Sequence, residues 1–307
     1  MDEKTNKPGN SDFKQQRLKG WRCAPGSLTL GSTYILMGIA SIIFGVIILE
    51  ETEKVVELSI RYDNIDECKA SWRTPRTCIL DIEVTSYMSS PVFFYYEIRN
   101  MYQNHRKYNK SRDIFQLLGE EMTKDEIETS CTPIVTMEDL GFYTELDLSQ
   151  DSPANPCGLV PKSYFNDTYS LLKSESNEEI KILQDDIAWA IDIDEKFERN
   201  ENWEELQWID VENEHFIVWM STAGTPNFRK LWGRIEEDLS KGTYRLIIIN
   251  NYDVSSFDGQ KRVVLSTTSA FGGDVSFMGI LYIFVGCIAF LGSAIIFLTH
   301  YLKTRHS

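Results

Sequence analysis

The chain has 307 residues, a length that suits one or two domains with a substantial core. It carries 46 acidic against 31 basic side chains, a formal net charge of −15. Residues 50–276 alone hold 43 of the acids and 23 of the bases, which gives this part a formal charge of −20. Such a surface argues against a nucleic-acid partner and against tight adsorption to anionic lipid, because both require a basic patch.

Two apolar runs bracket the acidic part. Residues 28–49 carry no charge, and residues 277–301 contain no Asp, Glu, Lys or Arg. A helix over the 22 residues of the first run is about 33 Å long, enough to cross the ~30 Å hydrocarbon core of a bilayer. The first run is too long for the apolar part of a signal peptide, and no small-residue cleavage site follows it. An uncleaved membrane anchor is therefore predicted.

The basic residues near the two runs predict the orientation. Short flanks that contain Lys and Arg stay on the cytosolic side of a membrane. Residues 1–27 and residues 302–307 are both basic, so both termini are expected in the cytosol. The predicted order is a cytosolic tail (1–27), a first transmembrane helix (28–49), an extracytoplasmic or luminal domain (50–276), a second transmembrane helix (277–301) and a cytosolic tail (302–307).

Cysteine usage agrees with this topology. Four of the six cysteines lie in the predicted luminal domain, where an oxidising compartment permits disulfides. Four cysteines allow three pairings, and the pairing of neighbours in sequence is predicted because it closes short loops: Cys68 with Cys78, and Cys131 with Cys157. The other two cysteines are expected to stay unbridged: Cys23 and Cys287.

Both ends of the luminal domain favour strands. Alternating apolar and polar residues predict half-buried strands over residues 55–62 and 78–85, and the aromatic run 91–98 predicts a third. Two further strands are predicted after Thr243, joined by a turn at Asp258-Gly259. The predicted fold is an integral membrane protein with two transmembrane helices and an α+β, predominantly antiparallel β-sandwich-like ectodomain with two disulfides.

An amphipathic helix is predicted around residue 230. Apolar residues recur there at i, i+3, i+4, i+7 and i+11, which is the spacing of one helix face: Phe228, Leu231, Trp232, Ile235 and Leu239. On this interpretation Trp219 and Trp232 are core residues and do not stack on a ligand.

Residues 102–113, YQNHRKYNKSRD, are the most distinctive stretch of the domain. A basic and aromatic run can stack on nucleic acid, but the predicted luminal location and the acidic surroundings argue against that. The stretch contains one glycosylation sequon, at Asn109, and a second lies at Asn166. Two sequons in a predicted lumen favour a glycoprotein.

Several segments resemble the cell-division-control protein 50 family, also called the ligand-effect-modulator family. Residues 10–18, NSDFKQQRL, are similar to the family's NTAFKQQRL, and residues 102–113 are similar to its YQNHRRYVKSRD. Residues 156–158 and 166–168 resemble its Pro-Cys-Gly turn and the Asn-Asp-Thr glycan site that follows. Three later segments resemble its IAWxxDxxxKF, HFxVWMRxAxxPxFRKL and YNVxxFDGxKxxVLST elements: residues 187–197, 215–235 and the stretch after residue 243.

This resemblance implies a function. Members of the family are accessory (beta) subunits of type IV P-type ATPases, the phospholipid flippases. The chain is then expected to form a heterodimer with such an ATPase, to assist its folding and its exit from the endoplasmic reticulum, and to support the transport of aminophospholipids to the cytosolic leaflet. The expected location is a membrane between the endoplasmic reticulum and the Golgi, endosome or plasma membrane. The resemblance also favours Asn166 over Asn109 as the occupied sequon.

No motif points to catalysis or to a metal. The sequence lacks an H-E-x-x-H helix, a G-x-S-x-G elbow, a P-loop and a paired-cysteine zinc site. The acidic residues 175–214 lack the glycine and the final Glu of a calcium-binding EF-hand loop. No cofactor is expected, and catalysis is assigned to the ATPase. Paired carboxylates for glycoside hydrolysis have no fixed spacing in sequence, so a membrane-anchored luminal enzyme acting on glycans is an alternative, as is a cell-surface adhesion or receptor module.

Small residues repeat every seven positions in both apolar runs. Seven residues turn an α-helix by almost two full turns, so each set forms a narrow stripe that another helix can approach closely. The stripes can face each other or a partner, and the sequence leaves this open. Together with the FKQQRL segment, they are the predicted partner-binding residues: Phe13, Lys14, Gln15, Gln16, Arg17, Leu18, Gly31, Gly38, Gly45, Gly279, Gly286 and Ser293.

Overall fold

A computed structural model describes residues 9–18, 20, 25–69, 75–141 and 146–306 of the chain. The chain divides into two compact units, a central domain (Glu51–Asp274) and a helical unit formed by Met1–Glu50 with Val275–Ser307. The helices are α1 (Ser27–Thr52), α2 (Arg106–Lys110), α3 (Ile114–Leu117), α4 (Lys124–Cys131), α5 (Met137–Leu140), α6 (Leu159–Lys162), α7 (Ala190–Lys196), α8 (Trp203–Leu206), α9 (Glu214–Met220) and α10 (Ser276–Arg305). The strands are β1 (Glu57–Arg61), β2 (Arg76–Val84), β3 (Val92–Arg99), β4 (Thr168–Lys173), β5 (Glu179–Ile180), β6 (Phe228–Ile235), β7 (Gly242–Asn250) and β8 (Gln260–Ser266).

Among the described residues, α1 and α10 are the helices long and apolar enough to cross a membrane. They contain 26 and 30 residues, which corresponds to about 39 and 45 Å. Each helix includes the apolar run predicted from the sequence and extends past it at both ends. Lys303 and Arg305 lie in the last turn of α10, where positive charge interacts favourably with the helix dipole.

The central domain is a β-sandwich of two four-stranded sheets, as predicted. The first sheet has the strand order β1-β8-β3-β6 and the second has the order β2-β7-β4-β5. Every pairing between these strands is antiparallel. The earliest strand of each sheet lies next to a late one, since β1 pairs with β8 and β2 pairs with β7.

Aromatic and aliphatic side chains fill the space between the sheets. In β3, Val92, Phe94, Tyr96 and Ile98 are buried and alternate with more exposed residues. This is the pattern of a strand with one face against a core. Phe94 contacts Tyr169 of the opposite sheet, with 5.1 Å between the ring centroids. The inner faces of both sheets therefore share one apolar core.

The amphipathic helix predicted around residue 230 is wrong, because this stretch forms strand β6. The register between β6 and β3 skips Trp232, which is the extra residue of a β-bulge. Phe228, Trp232 and Ile235 are all buried. A bulge shifts the two-residue period of a strand by one position, so these three large apolar residues fall four and then three apart. That spacing imitates a helix face.

The two strands predicted after Thr243 are present as β7 and β8. They lie in different sheets, so the connection between them carries the chain from one sheet to the other. Asp258, in the predicted turn, has a φ of 53°. Its short polar side chain tolerates this left-handed conformation better than most residues do.

The predicted disulfides are formed: Cys68 with Cys78, and Cys131 with Cys157. The first bridge lies in the core of the sandwich. The second lies in a smaller apolar cluster that involves α4, α5 and the segment before α6. Cys287 of α10 is a free cysteine, whereas Cys23 lies outside the described residues.

Candidate partner-binding surfaces

The two small-residue stripes face each other along α1 and α10. A methyl group built on Gly45 would lie 2.8 Å from the carbonyl oxygen of Gly279. One built on Gly286 would lie 2.9 Å from the carbonyl oxygen of Gly38. Such distances leave no room for a side chain, so the two helix backbones are in direct contact. Small residues allow this approach in membrane helices, and we call the contact the glycine seam.

The seam continues to the other end of the pair. The Ser293 hydroxyl donates a hydrogen bond of 2.9 Å to the carbonyl oxygen of Gly31. The small residues of both stripes are buried in this contact: Gly31, Gly38, Gly45, Gly279, Gly286 and Ser293. The other helix of the same chain therefore covers the small residues of each stripe, so the stripes face each other, which is one of the two alternatives that the sequence left open.

A leucine at position 45 is expected to widen the seam. Its side chain would overlap Ile283, since even a methyl group would lie 2.7 Å from the Cγ1 atom of that residue. Helix axes separate according to the side chains at their contact, so Gly45→Leu is expected to move the axes apart by about 2 Å. Spin labels on the outer faces, at Met37 and Phe284, measure this distance in detergent. Ala40→Leu is the control, because Ala40 is exposed on the same helix; an equal distance in both variants would contradict the seam.

The FKQQRL segment forms a compact turn. The backbone N–H of Arg17 donates to the carbonyl oxygen of Asp12 at 2.7 Å. Two apolar side chains project from this turn, Phe13 with 75% and Leu18 with 66% of its surface exposed. Apolar side chains held outward on a polar turn suit contact with another protein.

The inward-facing side chains of residues 102–113, which we call the signature segment, connect several parts of the central domain. The Ser111 hydroxyl donates to the carbonyl oxygen of Cys131 at 3.0 Å and accepts from the N–H of Leu159 at 2.9 Å. The Arg112 guanidinium donates to the carbonyl oxygen of Met220 at 2.7 Å. The segment thereby joins the second disulfide, α6 and the end of α9.

Two more inward contacts fix the segment. The side-chain oxygen of Gln103 accepts from the N–H of Ala223 at 2.9 Å, and the hydroxyls of Tyr108 and Ser163 lie 2.7 Å apart. Basic side chains lie on the outer, exposed side of the same segment. The residues that make this stretch distinctive in sequence therefore divide into an inner structural set and an outer charged set.

The two sequons differ in access. Asn166 is exposed, and its carbonyl oxygen accepts a hydrogen bond of 2.8 Å from the Asn251 side chain. Asn109 is half-buried in α2, and its side-chain oxygen accepts from the Thr222 hydroxyl at 2.9 Å. The Asn166 side chain is thus the freer of the two acceptors.

An exposed tryptophan follows a rigid loop. The Glu214 carboxylate accepts three backbone hydrogen bonds, from Asp186 at 2.9 Å, Ile187 at 2.6 Å and Ala188 at 2.9 Å. Trp189 comes next and has 76% of its surface exposed. A pre-organised, exposed tryptophan is typical of residues that contribute strongly to protein interfaces.

The surroundings of His215 predict that the stability of the central domain depends on pH. Burial lowers the pKa of His215, and the neighbouring Glu214 carboxylate opposes this shift. The ring lies 2.9 Å from the Gln184 side-chain oxygen. The unfolded chain binds the proton of this histidine more tightly than the folded chain does. The contribution of His215 to stability is therefore fully present above the unfolded pKa of ~6.5, and it decreases as the pH falls below that value. Unfolding of the full chain measured at pH 7.5 and 5.5 is expected to lose less stability in His215→Gln than in the wild type; an equal loss would contradict this role.

A buried ion pair lies between the sheets. The Lys261 ammonium donates to the Asp167 carboxylate at 2.6 Å, and both side chains are almost wholly inaccessible. It also donates to the Asn250 side chain and to the carbonyl oxygen of Tyr252. Asp167 accepts in addition from the Tyr62 hydroxyl at 2.7 Å. Burial lowers the pKa of Lys261, and the charge of Asp167 opposes that shift.

Comparison with known proteins identifies the family. A family model described as "LEM3 (ligand-effect modulator 3) family / CDC50 family" matches residues 48–306. The chain belongs to this family.

Within the part of the chain that the structure describes, no three His, Cys, Asp or Glu side chains form a group that could hold a metal ion.

Curated relatives of this CDC50-family chain match over most of their length. It is 37% identical to "ALA-interacting subunit 3" of Arabidopsis thaliana, over 98% of this chain and 88% of the relative. It is 34% identical to "Cell cycle control protein 50A" of Bos taurus, over 99% and 91%. It is 30% identical to "Phospholipid-transporting ATPase accessory subunit CRF1" of Saccharomyces cerevisiae, over 96% and 85%.

Sequence reasoning missed the buried pair Lys261–Asp167. Both residues stand in segments that resemble CDC50-family elements, Lys261 in FDGxK and Asp167 in the Asn-Asp-Thr site. In each segment the prediction concerned a neighbouring residue: the turn glycine Gly259 near Lys261, and the glycan acceptor Asn166 beside Asp167. A lysine at the start of a strand segment with an apolar centre, KRVVLS, is the signal that could have revealed the pair.

Proposed function

We propose that this CDC50-family chain is the non-catalytic beta subunit of a phospholipid flippase. It forms a heterodimer with a type IV P-type ATPase that moves aminophospholipids to the cytosolic leaflet. It assists the folding of that ATPase, its exit from the endoplasmic reticulum and its transport cycle. The complex resides in a membrane between the endoplasmic reticulum and the Golgi, endosome or plasma membrane, with both termini of the beta subunit in the cytosol.

The observation that carries this proposal is the family match over residues 48–306. A relative that aligns with nearly the whole chain is named an accessory subunit of a phospholipid-transporting ATPase. The two apolar helices support a membrane location. The ATPase then supplies the catalytic residues and the lipid path.

Three surfaces are proposed for the ATPase. The turn that exposes Phe13 and Leu18 binds its cytosolic part. Since the glycine seam is occupied, the outer faces of the helix pair bind its membrane helices; they expose large apolar residues such as Leu36, Phe44 and Phe284. The central domain covers its luminal loops. Binding that favours some conformations of the pump shifts its equilibrium by the difference in affinity.

We also propose that Asn166 carries an N-linked glycan, with Asn109 as a second acceptor. The exposure of Asn166 supports this assignment. Glycosidase treatment of the full chain should increase its mobility on a gel, and Asn166→Gln should remove one step of that shift. A chain whose mobility is unchanged by the enzyme would contradict the assignment.

Affinity purification in a mild detergent, followed by mass spectrometry, tests the proposed function. The expected result is a roughly stoichiometric P-type ATPase in the purified sample. Phe13→Ser with Leu18→Ser should lower its recovery, because both exposed apolar side chains of the cytosolic turn are then lost. A purified chain without any P-type ATPase would leave the luminal enzyme or the adhesion module as the better function.

A further inference from the structure

The outer side of α2 is a basic surface within an acidic domain. Arg106, Lys107 and Lys110 are exposed, whereas Tyr108 and Asn109 on the same short helix are half-buried. Residues three and four apart on a helix are neighbours, so Lys110 lies beside both Arg106 and Lys107. We call Arg106, Lys107 and Lys110 the α2 basic surface.

Among the described residues, no acid forms an ion pair with any of these three charges, whereas more than half of the described bases of the domain form one. Elsewhere, exposed bases contact acids, for example Arg229 with Glu57 at 2.7 Å. In the described part of the central domain, only six exposed Lys and Arg side chains have no acid within ion-pair distance: Arg76, Arg106, Lys107, Lys110, Lys181 and Lys241. Half of them lie on one helix of five residues, although the domain holds 42 acids that could have been placed nearby.

The helix that carries the charges is fixed. Tyr108 and Asn109 tie it to Ser163 and Thr222 through side-chain contacts of 2.7 and 2.9 Å. Ser111, directly after it, bonds to the backbone on both sides of the second disulfide. The backbone that carries the basic side chains is therefore held in place before a ligand binds, which lowers the entropy lost by the backbone on binding.

Apolar groups adjoin the charges in sequence. Ile114 and Phe115 of α3 are exposed. Ile114 and Arg112 line an open groove of about 430 Å³ together with Phe197 of the segment after α7. Aromatic and arginine side chains around a groove are typical of protein interfaces.

We propose that the α2 basic surface binds an acidic luminal segment of the ATPase. This inference rests on the proposed function and assigns its luminal contact to one helix. An acidic protein segment is a better ligand for the α2 basic surface than an anionic bilayer is. With a screening length of about 8 Å, a loop in contact with α2 interacts mainly with the local positive charge. A flat bilayer also faces the acids that give residues 50–276 a formal charge of −20.

Charge reversal with a matched control tests this assignment. The triple variant Arg106→Glu, Lys107→Glu and Lys110→Glu is compared with Arg76→Glu, Lys181→Glu and Lys241→Glu, which makes the same change in net charge at the other exposed, unpaired bases. Full-length chains are purified with the ATPase at 150 mM salt, and thermal unfolding verifies that both variants fold. The α2 variant should recover about tenfold less ATPase, as expected for three lost contacts of moderate strength, and the control should match the wild type.

A photo-activated cross-linking residue at position 107 identifies the ligand. The expected adduct contains a luminal peptide of the ATPase that is rich in Asp or Glu, and the same residue at position 181 should give none. Equal ATPase recovery by the wild type and both triple variants would overturn the α2 assignment and leave the proposed function standing. Adducts with phospholipid alone would overturn it in favour of headgroup binding. A wild-type chain that recovers no ATPase would instead contradict the proposed function.

Discussion

Replacing Lys261 with methionine is expected to lower the free energy of unfolding of the central domain by about 3–5 kcal/mol. The substitution removes the ammonium that lies 2.6 Å from the Asp167 carboxylate, where neither side chain reaches solvent. The carboxylate then keeps the Tyr62 hydroxyl and backbone N–H donors but no opposite charge. An uncompensated buried charge is more destabilising than the loss of a surface ion pair.

Denaturant unfolding of the full chain, followed by tryptophan fluorescence, measures this effect. Lys181→Met is the control, because Lys181 is exposed and should change stability by less than about 0.5 kcal/mol. Asp167→Asn combined with Lys261→Met should be more stable than Lys261→Met alone, since both charges are then absent. A Lys261→Met chain as stable as the Lys181→Met chain would show that the pair is not charged in the folded protein.

Replacing Gly158 with alanine is expected to destabilise the domain by about 3–5 kcal/mol or to prevent its folding. Gly158 has a φ of 104°, a conformation that side chains disfavour. A methyl group there would also overlap the carbonyl oxygen of Ser111 and would lie 2.8 Å from the backbone nitrogen of Arg112. Both obstacles are backbone atoms of the signature segment, which several hydrogen bonds hold in place.

Gly272→Ala separates the two contributions. Gly272 has a similar φ of 98°, but no atom lies within 4 Å of a methyl group built on it. This control keeps the backbone strain, about 1 kcal/mol, without the overlap. The yield of folded chain and its thermal unfolding should be clearly worse for Gly158→Ala than for Gly272→Ala. Equal losses would show that backbone conformation alone decides the cost.

Local sequence signals predicted the features that depend on local chemistry. The aromatic run 91–98 predicted β3, the apolar runs predicted α1 and α10, and the short loops predicted the disulfide pairing. Each of these follows from a short stretch of chain. The family motifs added the expected partner and function.

Features that depend on distant contacts were not predictable in the same way. The bulge at Trp232 exists because β6 pairs with β3, more than 130 residues earlier in the chain, and it gave the strand a helix-like spacing. The seven-residue repeat that includes Gly45 was visible in the sequence. Which helix covers it could be learned only from the folded structure. The Asp167–Lys261 pair joins residues 94 positions apart, and nothing local marks two such residues as neighbours.

The strand order also determines when this domain can fold during synthesis. Among the described strands, β1 pairs only with β8, and β2 pairs only with β7. Both early strands therefore lack a hydrogen-bonding partner strand until residues 242–266 have been synthesised and have reached the same compartment. Pairings between distant strands form late and leave apolar strand edges open in the meantime. The sandwich is thus completed only a few residues before α10 begins at Ser276. The nascent chain must remain unaggregated for almost its whole translation, and a chain that stops before β7 leaves both sheets incomplete.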